Sequence, residues 1–215
     1  MSAEPEGAVE KRARDPVGTA DSILQAALIE FSQAGFAGAR IDRVAERAAV
    51  NKRMIYHYFG NKEQLYIAVL EASYGAMRAA EAKLDLARLE PEAAITALID
   101  FTWEYFVKHP DFLNLVNGEN LLQGKYLAQS ARIRDMHSPL LTSVSDVLAR
   151  GRAAGVFREG LEAIGVNMTI AALCYHYLNN RYTGAVIYDR DLSSDAALAQ
   201  RWAFVREAVL RILKP

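Results

Sequence analysis

Apolar side chains recur three and four positions apart along nearly the whole of this chain, and no segment of useful length alternates apolar with polar residues. The first spacing places side chains on one face of an α-helix, whereas alternation is typical of a β-strand. Residues 1–16 differ, because they hold Pro5, Gly7 and almost no large apolar side chain. The sequence therefore predicts an all-α protein of about nine helices, preceded by a disordered tail over residues 1–16.

Glycine, proline and capping residues mark where the predicted helices begin and end. Gly35 ends the first helix, Asn51 stands at the N-cap of the third, and Gly60 ends the third. Ser138-Pro139 marks the start of a later helix, because proline suits a first turn better than a helix interior. The helices expected after the first are 41–48, 52–59, a long one from Lys62, 91–108, 111–123, 139–154 and two terminal ones.

Composition excludes several classes of protein. The chain has 215 residues and a formal net charge of -1, and no apolar run reaches the ~18–20 residues of a membrane helix. Its single cysteine, Cys174, excludes an internal disulfide and a cysteine-rich metal site, and is best explained as a small buried side chain. The start of the sequence lacks the basic and apolar regions of a secretory signal. We therefore expect a cytoplasmic protein without a membrane segment, metal site or cofactor.

A cluster of positive charge lies between residues 40 and 62, where six Lys or Arg side chains stand against two acidic ones. Duplex DNA carries one negative charge per ~1.7 Å of helix axis, so a local cationic face is what phosphate binding requires. A solvated helix face is the alternative explanation of such a charge run. The cluster coincides, however, with two short helices joined by a tight turn, which is the arrangement of a helix-turn-helix.

The second short helix of this segment is the predicted recognition helix. Lys52 and Arg53 lie in its first turn, beside the free N–H groups that favour phosphate. Tyr56 and His57 follow one turn later, within reach of backbone oxygens or base edges. Ile55 lies on the opposite side and anchors the helix to the one before it. Arg53 is the first candidate for a bidentate contact with guanine in the major groove.

The same segment resembles the DNA-binding domain of the TetR/AcrR family of bacterial transcriptional regulators. Residues 38–45, 48–52 and 55–65 carry the likeness, above all through the string Tyr-His-Tyr-Phe-x-Asn-Lys-Glu. The resemblance implies a DNA-binding domain over 17–70 and an effector-binding and dimerisation domain over 71–215. It further implies a homodimer, usually a repressor, that binds a double-stranded DNA operator and responds to a small-molecule effector of unknown identity.

By position, the resemblance implies that Lys62 binds phosphate at the start of the linking helix. The family usually has glycine where Ala49 stands, and serine or threonine where Asn51 stands, although Asn51 keeps a capping oxygen. Basic residues at positions 11–14 of the tail could reach a minor groove, or the tail could be idle. The full set of predicted DNA-binding residues is Arg40, Arg43, Asn51, Lys52, Arg53, Tyr56, His57 and Lys62.

The second half of the chain carries aromatic and amide side chains that suit a ligand pocket with apolar walls and a few polar groups. A solvated helix face is the alternative explanation for the amides. The two terminal helices carry apolar stripes, which form either an intrachain core or a self-interface. The predicted ligand-binding residues are Trp103, Phe106, Asn117, Asn120, Tyr177 and Arg181, and the predicted dimerisation residues are Met168, Tyr175, Leu178, Tyr182, Trp202, Val205 and Val209.

An all-α enzyme has no support in the sequence, which lacks paired carboxylates at catalytic spacing, a Gly-rich phosphate loop and a nucleophile motif. The predicted function is therefore that of a ligand-responsive transcriptional regulator released from a palindromic operator by its effector. A DNA-binding protein without an effector, in an architectural or activator role, remains the alternative.

Overall fold

The computed structural model describes residues 16–215, so the predicted tail and its basic residues at 11–14 lie outside the described part. Within that part there are nine α-helices, three short 3-10 turns and no strand. The prediction of an all-α fold is confirmed. The helices are α1 (Pro16–Gly38), α2 (Ile41–Arg47), α3 (Lys52–Phe59), α4 (Lys62–Glu81), α5 (Pro91–Lys108), α6 (Pro110–Leu121), α7 (Ala131–Ala153), α8 (Ala163–Ile187) and α9 (Asp195–Leu213).

Side-chain caps and glycines determine several of these boundaries. Gly35 takes φ 65 inside α1 and interrupts the helix there, and Gly60 takes φ 75 where α3 ends. Asn51 caps α3, because its Oδ1 accepts a hydrogen bond from the backbone N–H of Arg53 at 2.9 Å. Asn61 caps α4 in the same way. The predicted N-cap at Asn51 is confirmed.

Helix α7 begins eight residues earlier than the sequence predicted, at Ala131 instead of at Pro139. Ser130 provides the cap, accepting a hydrogen bond from the N–H of Ile133 at 3.3 Å. Pro139 lies inside the helix on its exposed side, so water can reach the carbonyl that loses its usual N–H partner. A proline at an exposed position therefore did not mark a helix start.

Two apolar cores are joined by α4. The first half of α4 contributes Leu65, Tyr66 and Val69 to a core with α1, α2 and α3, and α6 adds Leu115 to the same core. The far half of α4 contributes Met77 to the larger core of α5–α9. One continuous helix thus links the N-terminal three helices to the C-terminal bundle. No helix within residues 16–215 is apolar over a length that would cross a membrane.

The stripes on α8 and α9 serve mainly the core of the chain itself, because both helices pack against α5. Leu178, Val205 and Val209 are buried there, so their predicted role in dimerisation is wrong. Trp202 is half-buried, and its indole N–H donates to Asp100 Oδ1 at 2.9 Å within the chain. Tyr175 is also half-buried and hydrogen-bonds inside the chain. Cys174 is fully buried, as expected, and burial raises the pKa of its thiol to about 12.

The remaining two predicted dimerisation residues lie at the surface. Met168 and Tyr182 on α8 are 65% and 66% exposed. Val186 and Ile187 extend the exposed apolar surface of α8, and Phe204 adds to it from α9. A period of three and four residues alone does not say which members of a stripe face inward.

Candidate nucleic-acid interface and ligand cavity

Helices α2 and α3 are joined by a turn that fixes their relative position. The N–H of Val50 donates to the carbonyl of Ala45 at 3.0 Å, which closes the end of α2. Ala49 takes φ 52 in this turn, a left-handed conformation that favours glycine. Ile55 is the buried residue of α3 and packs in the first core. The opposite side of α3 is therefore turned to solvent.

The solvent side of α3 presents the four residues predicted to read DNA. Lys52, Arg53, Tyr56 and His57 are all exposed. Among the residues that the structure describes, the Arg53 guanidinium has neither a hydrogen-bond acceptor nor an ion-pair partner, and is free to bind another molecule. His57 makes an edge contact with the ring of Tyr58, 5.4 Å between ring centroids.

Two ion pairs connect the predicted phosphate contacts to acidic groups of the chain. Lys52 Nζ lies 2.7 Å from Asp42 Oδ1, and this hydrogen bond raises the pKa of Lys52 and lowers the pKa of Asp42. Arg43 lies 3.9 Å from the buried carboxylate of Glu30, which also accepts the N–H of Arg40 at 3.0 Å. Both cations remain accessible to solvent, so a phosphate can replace the acidic partner.

Lys62 is the first residue of α4, as predicted, and its ammonium group contacts the chain itself. Its ammonium group donates to the carbonyl of Ala39 at 2.6 Å and to that of Ala37 at 3.4 Å. It also lies 4.9 Å from the centroid of the Phe36 ring, and burial lowers its pKa. Lys62 therefore ties the start of α4 to the end of α1, and its predicted contact with phosphate stays a prediction.

A cavity of about 520 Å³ lies between α4, α5, α6, α7 and α8. Its volume is within the range of ligand pockets in proteins. Within residues 16–215, no three His, Cys, Asp or Glu side chains are grouped as a metal site would need. The wall is formed by Tyr74, Met77, Arg78, Glu81, Thr102, Phe106, Phe112, Leu113, Val116, Asn120, His137, Asn167, Met168, Ala171, Ala172 and Tyr175.

Two of the six predicted ligand-binding residues, Phe106 and Asn120, line this cavity. The other four lie outside its wall and are engaged within the chain. Trp103 is buried in the core, and Asn117 hydrogen-bonds with the Tyr175 hydroxyl and with Asn179. The hydroxyl of Tyr177 donates to the carbonyl of Leu192 at 3.0 Å, and Arg181 donates to that of Leu178 at 2.7 Å.

The charged residues of the cavity, Arg78 and Glu81, were not predicted. Tyr74, Met77, Arg78 and Glu81 share one helix face, because they are spaced i, i+3, i+4 and i+7. That spacing was the available signal: two charges stand on the buried face of an amphipathic helix. Arg78 Nη1 lies 2.6 Å from Glu81 Oε2, and the side chains are only 13% and 6% exposed. Burial lowers the pKa of Arg78 and raises the pKa of Glu81 to about 7, so desolvation outweighs their mutual attraction.

Comparison with known proteins identifies the family. Residues 23–69 match the family described as bacterial regulatory proteins, tetR family, and residues 91–209 match the tetracyclin repressor-like C-terminal domain. The chain belongs to the TetR family. A TetR-family relative, the HTH-type transcriptional repressor NicS of Pseudomonas putida, is 38% identical over 203 residues, covering 94% of this chain and 96% of that protein. The HTH-type transcriptional repressor SCO4008 of Streptomyces coelicolor is 34% identical over 165 residues, covering 75% and 79%.

Solved structures show the same TetR fold. The putative regulator SCO4942 from Streptomyces coelicolor has a TM-score of 0.69 at 24% identity, covering 92% of this chain and 99% of that one. The fatty acid degradation regulator FadR from Bacillus halodurans has a TM-score of 0.67 at 20% identity, covering 93% and 97%. The TetR family and these relatives are transcriptional regulators and not enzymes. This TetR-family chain is accordingly a ligand-responsive, DNA-binding transcriptional regulator that works as a dimer.

Proposed function

We propose that two copies of this chain repress transcription by binding a palindromic operator, and that a small molecule in the cavity between α4 and α8 releases them. The observation that carries this proposal is the position of α4. Tyr74 and Met77 on its far half line the cavity, while Leu65 and Tyr66 on its near half are buried in the DNA-binding core. A ligand that displaces α4 therefore also displaces α1–α3. Such a repressor acts in the bacterial cytoplasm and catalyses no reaction.

In this proposal α3 enters the major groove. Arg53 contacts a base edge. Lys52 leaves its ion pair with Asp42 and binds phosphate. Tyr56 and His57 contact the DNA one turn further along, and Asn51 holds the first turn in place. Arg40 and Arg43 lie beside the phosphate backbone at the start of α2, where both are exposed. We divide the chain into a DNA-binding unit over 17–70 and an effector unit over 71–215, with Leu115 of the effector unit packed in the first core.

Helix α6 offers a second connection between the cavity and the DNA-binding core. Leu113 and Val116 line the cavity, while Leu115 on the other side of the same helix packs in the first core. The buried Glu119 accepts the N–H groups of Tyr126 at 3.1 Å and Leu127 at 2.9 Å, which holds the end of α6 in place. Ligand contacts on α6 are therefore transmitted to α1 directly.

The exposed apolar side chains of α8 and α9 support dimerisation through this face. Met168, Tyr182, Val186 and Phe204 are large apolar residues that the chain itself does not cover. A second copy of the chain would remove them from water. The double variant Met168→Asp and Tyr182→Asp should be monomeric in light scattering at micromolar concentration. Retention of the dimer would place the interface elsewhere.

A gel-shift assay with DNA fragments from around the chain's own gene tests the DNA-binding part. Arg53→Ala should weaken specific binding by ~1–3 kcal/mol and relax the preference at one base pair. Arg88→Ala is the matched control, because Arg88 is an exposed arginine far along the chain from α3. Equal loss on every sequence would show a phosphate contact instead of base reading. Loss of binding in the control would refute the assignment of α3.

A further inference from the structure

The cavity contains one cation and one carboxylate, Arg78 and Glu81, and the two do not satisfy each other. A guanidinium group has five N–H donors in a fixed plane. Nη1 of Arg78 lies 2.6 Å from the Glu81 carboxylate, but the contact is not aligned as a hydrogen bond. Among the described residues, neither Nη1 nor Nε of Arg78 has a hydrogen-bond acceptor. Buried donors without acceptors are rare in folded proteins, and a charged donor is the costliest case.

The rest of the wall suits the body of a small amphipathic molecule. Phe106 and Phe112 supply aromatic surface, and Leu113 and Val116 supply aliphatic surface. The other polar groups of the wall are neutral amides, hydroxyls and one imidazole. Thr102 is already satisfied, since its hydroxyl donates to the carbonyl of Leu98 at 2.8 Å. The unmet requirement of this cavity is thus for hydrogen-bond acceptors, preferably with negative charge.

We infer that the cavity binds a small organic acid, with its carboxylate on the guanidinium of Arg78 and its apolar body against Phe106 and Phe112. Planar carboxylates fit the guanidinium fork with two parallel hydrogen bonds, and such pairs are the strong ones. The inference rests on the proposed function, because it names the chemical class of the effector that the same cavity would receive.

Glu81 competes with such a ligand for Arg78. Two carboxylates on one guanidinium repel each other unless one takes up a proton. The buried Glu81 is the group prepared to do so, because burial already raises its pKa to about 7. Binding of an acid should therefore be accompanied by proton uptake above pH 7, and should strengthen as the pH falls toward about 7 and level off below it.

The other ionisable groups near the pair come from α4, α5, α7 and α8 and from the turn after α4. Tyr74 on α4, Tyr105 on α5 and Tyr175 on α8 are neutral phenols, and burial raises the pKa of each further. Asp85 follows α4 and is paired with the exposed Arg88 at 2.8 Å. His137 on α7 is the remaining ionisable side chain of the wall. A variant at Glu81 separates its contribution from that of His137.

The test uses three probes of one shape and different charge: 1-naphthoate, the neutral 1-naphthamide and the cationic 1-naphthylmethylamine. Calorimetry and thermal unfolding of the full-length dimer measure their binding. We expect 1-naphthoate to bind about 10- to 150-fold more tightly than the amide, which corresponds to the ~1.5–3 kcal/mol of a charge-assisted hydrogen bond. The amine should not bind measurably.

Three variants separate the roles of the pair. Arg78→Gln should bind acid and amide equally. Arg88→Gln, which removes an exposed arginine that also pairs with an acidic side chain three residues away, should behave as wild type. Glu81→Gln should bind 1-naphthoate more tightly than wild type at pH 8, because the competing charge is gone, and should lose the pH dependence. If Arg78→Gln does not fold, the affinity of Glu81→Gln for 1-naphthoate at pH 8 tests the inference instead.

The inference is overturned if the amide or the amine binds as well as the acid, if no acid of a series from benzoate to decanoate binds at millimolar concentration, or if Glu81→Gln weakens acid binding. Failure of the proposed function is distinguishable, because operator binding is measured without any ligand. A protein that binds its operator but prefers neutral or cationic probes has the proposed function and a different effector class.

Discussion

Gly151 offers the sharpest test of the packing at the end of α7. The helix turns back at Gly155, and Phe157 folds onto α7 so closely that a Cβ on residue 151 would lie 1.9 Å from the ring Cδ2 and 2.5 Å from Cε2. Carbon atoms pack at about 3.5–4.0 Å, so the ring would have to move by roughly 1.5 Å. Phe157 is only 3% exposed, and a closely packed core has no room for that movement.

Because the ring cannot move aside within the core, Gly151→Ala should expel it, at about 3–5 kcal/mol, against a gain in helix propensity of about 0.5–1 kcal/mol. The expected net loss is about 2–4 kcal/mol, or about 5–15 °C in Tm for a chain of this size. Thermal unfolding followed by circular dichroism at fixed protein concentration measures it. Gly165→Ala is the matched control in α8, because nothing lies within 4 Å of its Cβ position and the variant should be at least as stable as wild type.

The double variant with Phe157→Ala makes the test specific. Removing the ring costs stability by itself, but it also removes the obstacle to a methyl group at position 151. Gly151→Ala should then add little to the loss caused by Phe157→Ala, so the two effects should be strongly non-additive. Full additivity, or a Gly151→Ala variant as stable as wild type, would refute this description of the α7 turn.

Three further predictions concern the DNA-binding segment and the cavity. Ala49→Gly should raise the free energy of unfolding, measured by urea denaturation, by about 0.5–1 kcal/mol. The reason is that the strain of a left-handed alanine at φ 52 costs more than the additional backbone entropy that glycine loses on folding. Asp42→Asn should tighten binding to every DNA sequence at low salt, because Lys52 is released and a negative charge is lost; a sequence-selective gain would contradict this reason. The wild type should lose up to about 3 kcal/mol of stability between pH 4.5 and 7, because Glu81 keeps its proton when folded but not when unfolded, and Glu81→Gln should lack this slope in pH-dependent unfolding.

The helix-turn-helix was predictable because its determinants are local. The cap at Asn51, the turn at Ala49 and the buried Ile55 act within a few residues of each other, so their spacing in the sequence specifies the geometry. Charge clustering added the functional interpretation. The contacts of Lys62 could not be predicted in this way, because its acceptors are the carbonyls of Ala37 and Ala39, more than twenty residues away. The identity of a basic side chain does not show whether it binds a phosphate or a carbonyl.

The effector half was less predictable because its walls come from five helices. Helical spacing identified apolar stripes on α8 and α9, but the same period describes a side chain that faces α5 and one that faces solvent. Leu178 and Tyr182 are one turn apart in the same stripe, and one is buried while the other is exposed. Trp103 and Tyr177 pack against each other outside the cavity. This contact depends on the angle at which α5 crosses α8, which neither helix specifies alone.

The way in which α4 is held determines what a ligand can do to it. At its start Lys62 ties the helix to α1, and just beyond its end the guanidinium of Arg150 on α7 binds the carbonyls of Leu86 at 2.9 Å and Leu89 at 2.7 Å. Arg150 thus fixes the turn that follows α4 to α7 of the bundle, whereas the start of α4 is fixed to α1, which belongs to the DNA-binding unit. A ligand beside Tyr74 therefore contacts α4 between its anchored end and the end that is attached to α1.

For a helix of 20 residues, a rotation of about 5° about the Arg150 end moves the start by roughly 2.6 Å. In a dimer both recognition helices are displaced, so a small change at the cavity alters the distance between them. A ligand shifts this equilibrium only by the difference between its affinities for the two arrangements, and operator DNA must weaken ligand binding by the same factor. Arg150→Ala removes the hydrogen bonds that hold the turn after α4. The variant should bind its operator as wild type does in the absence of ligand. Operator DNA should weaken ligand binding by a smaller factor, because a ligand would then move the unanchored end of α4 instead of its start.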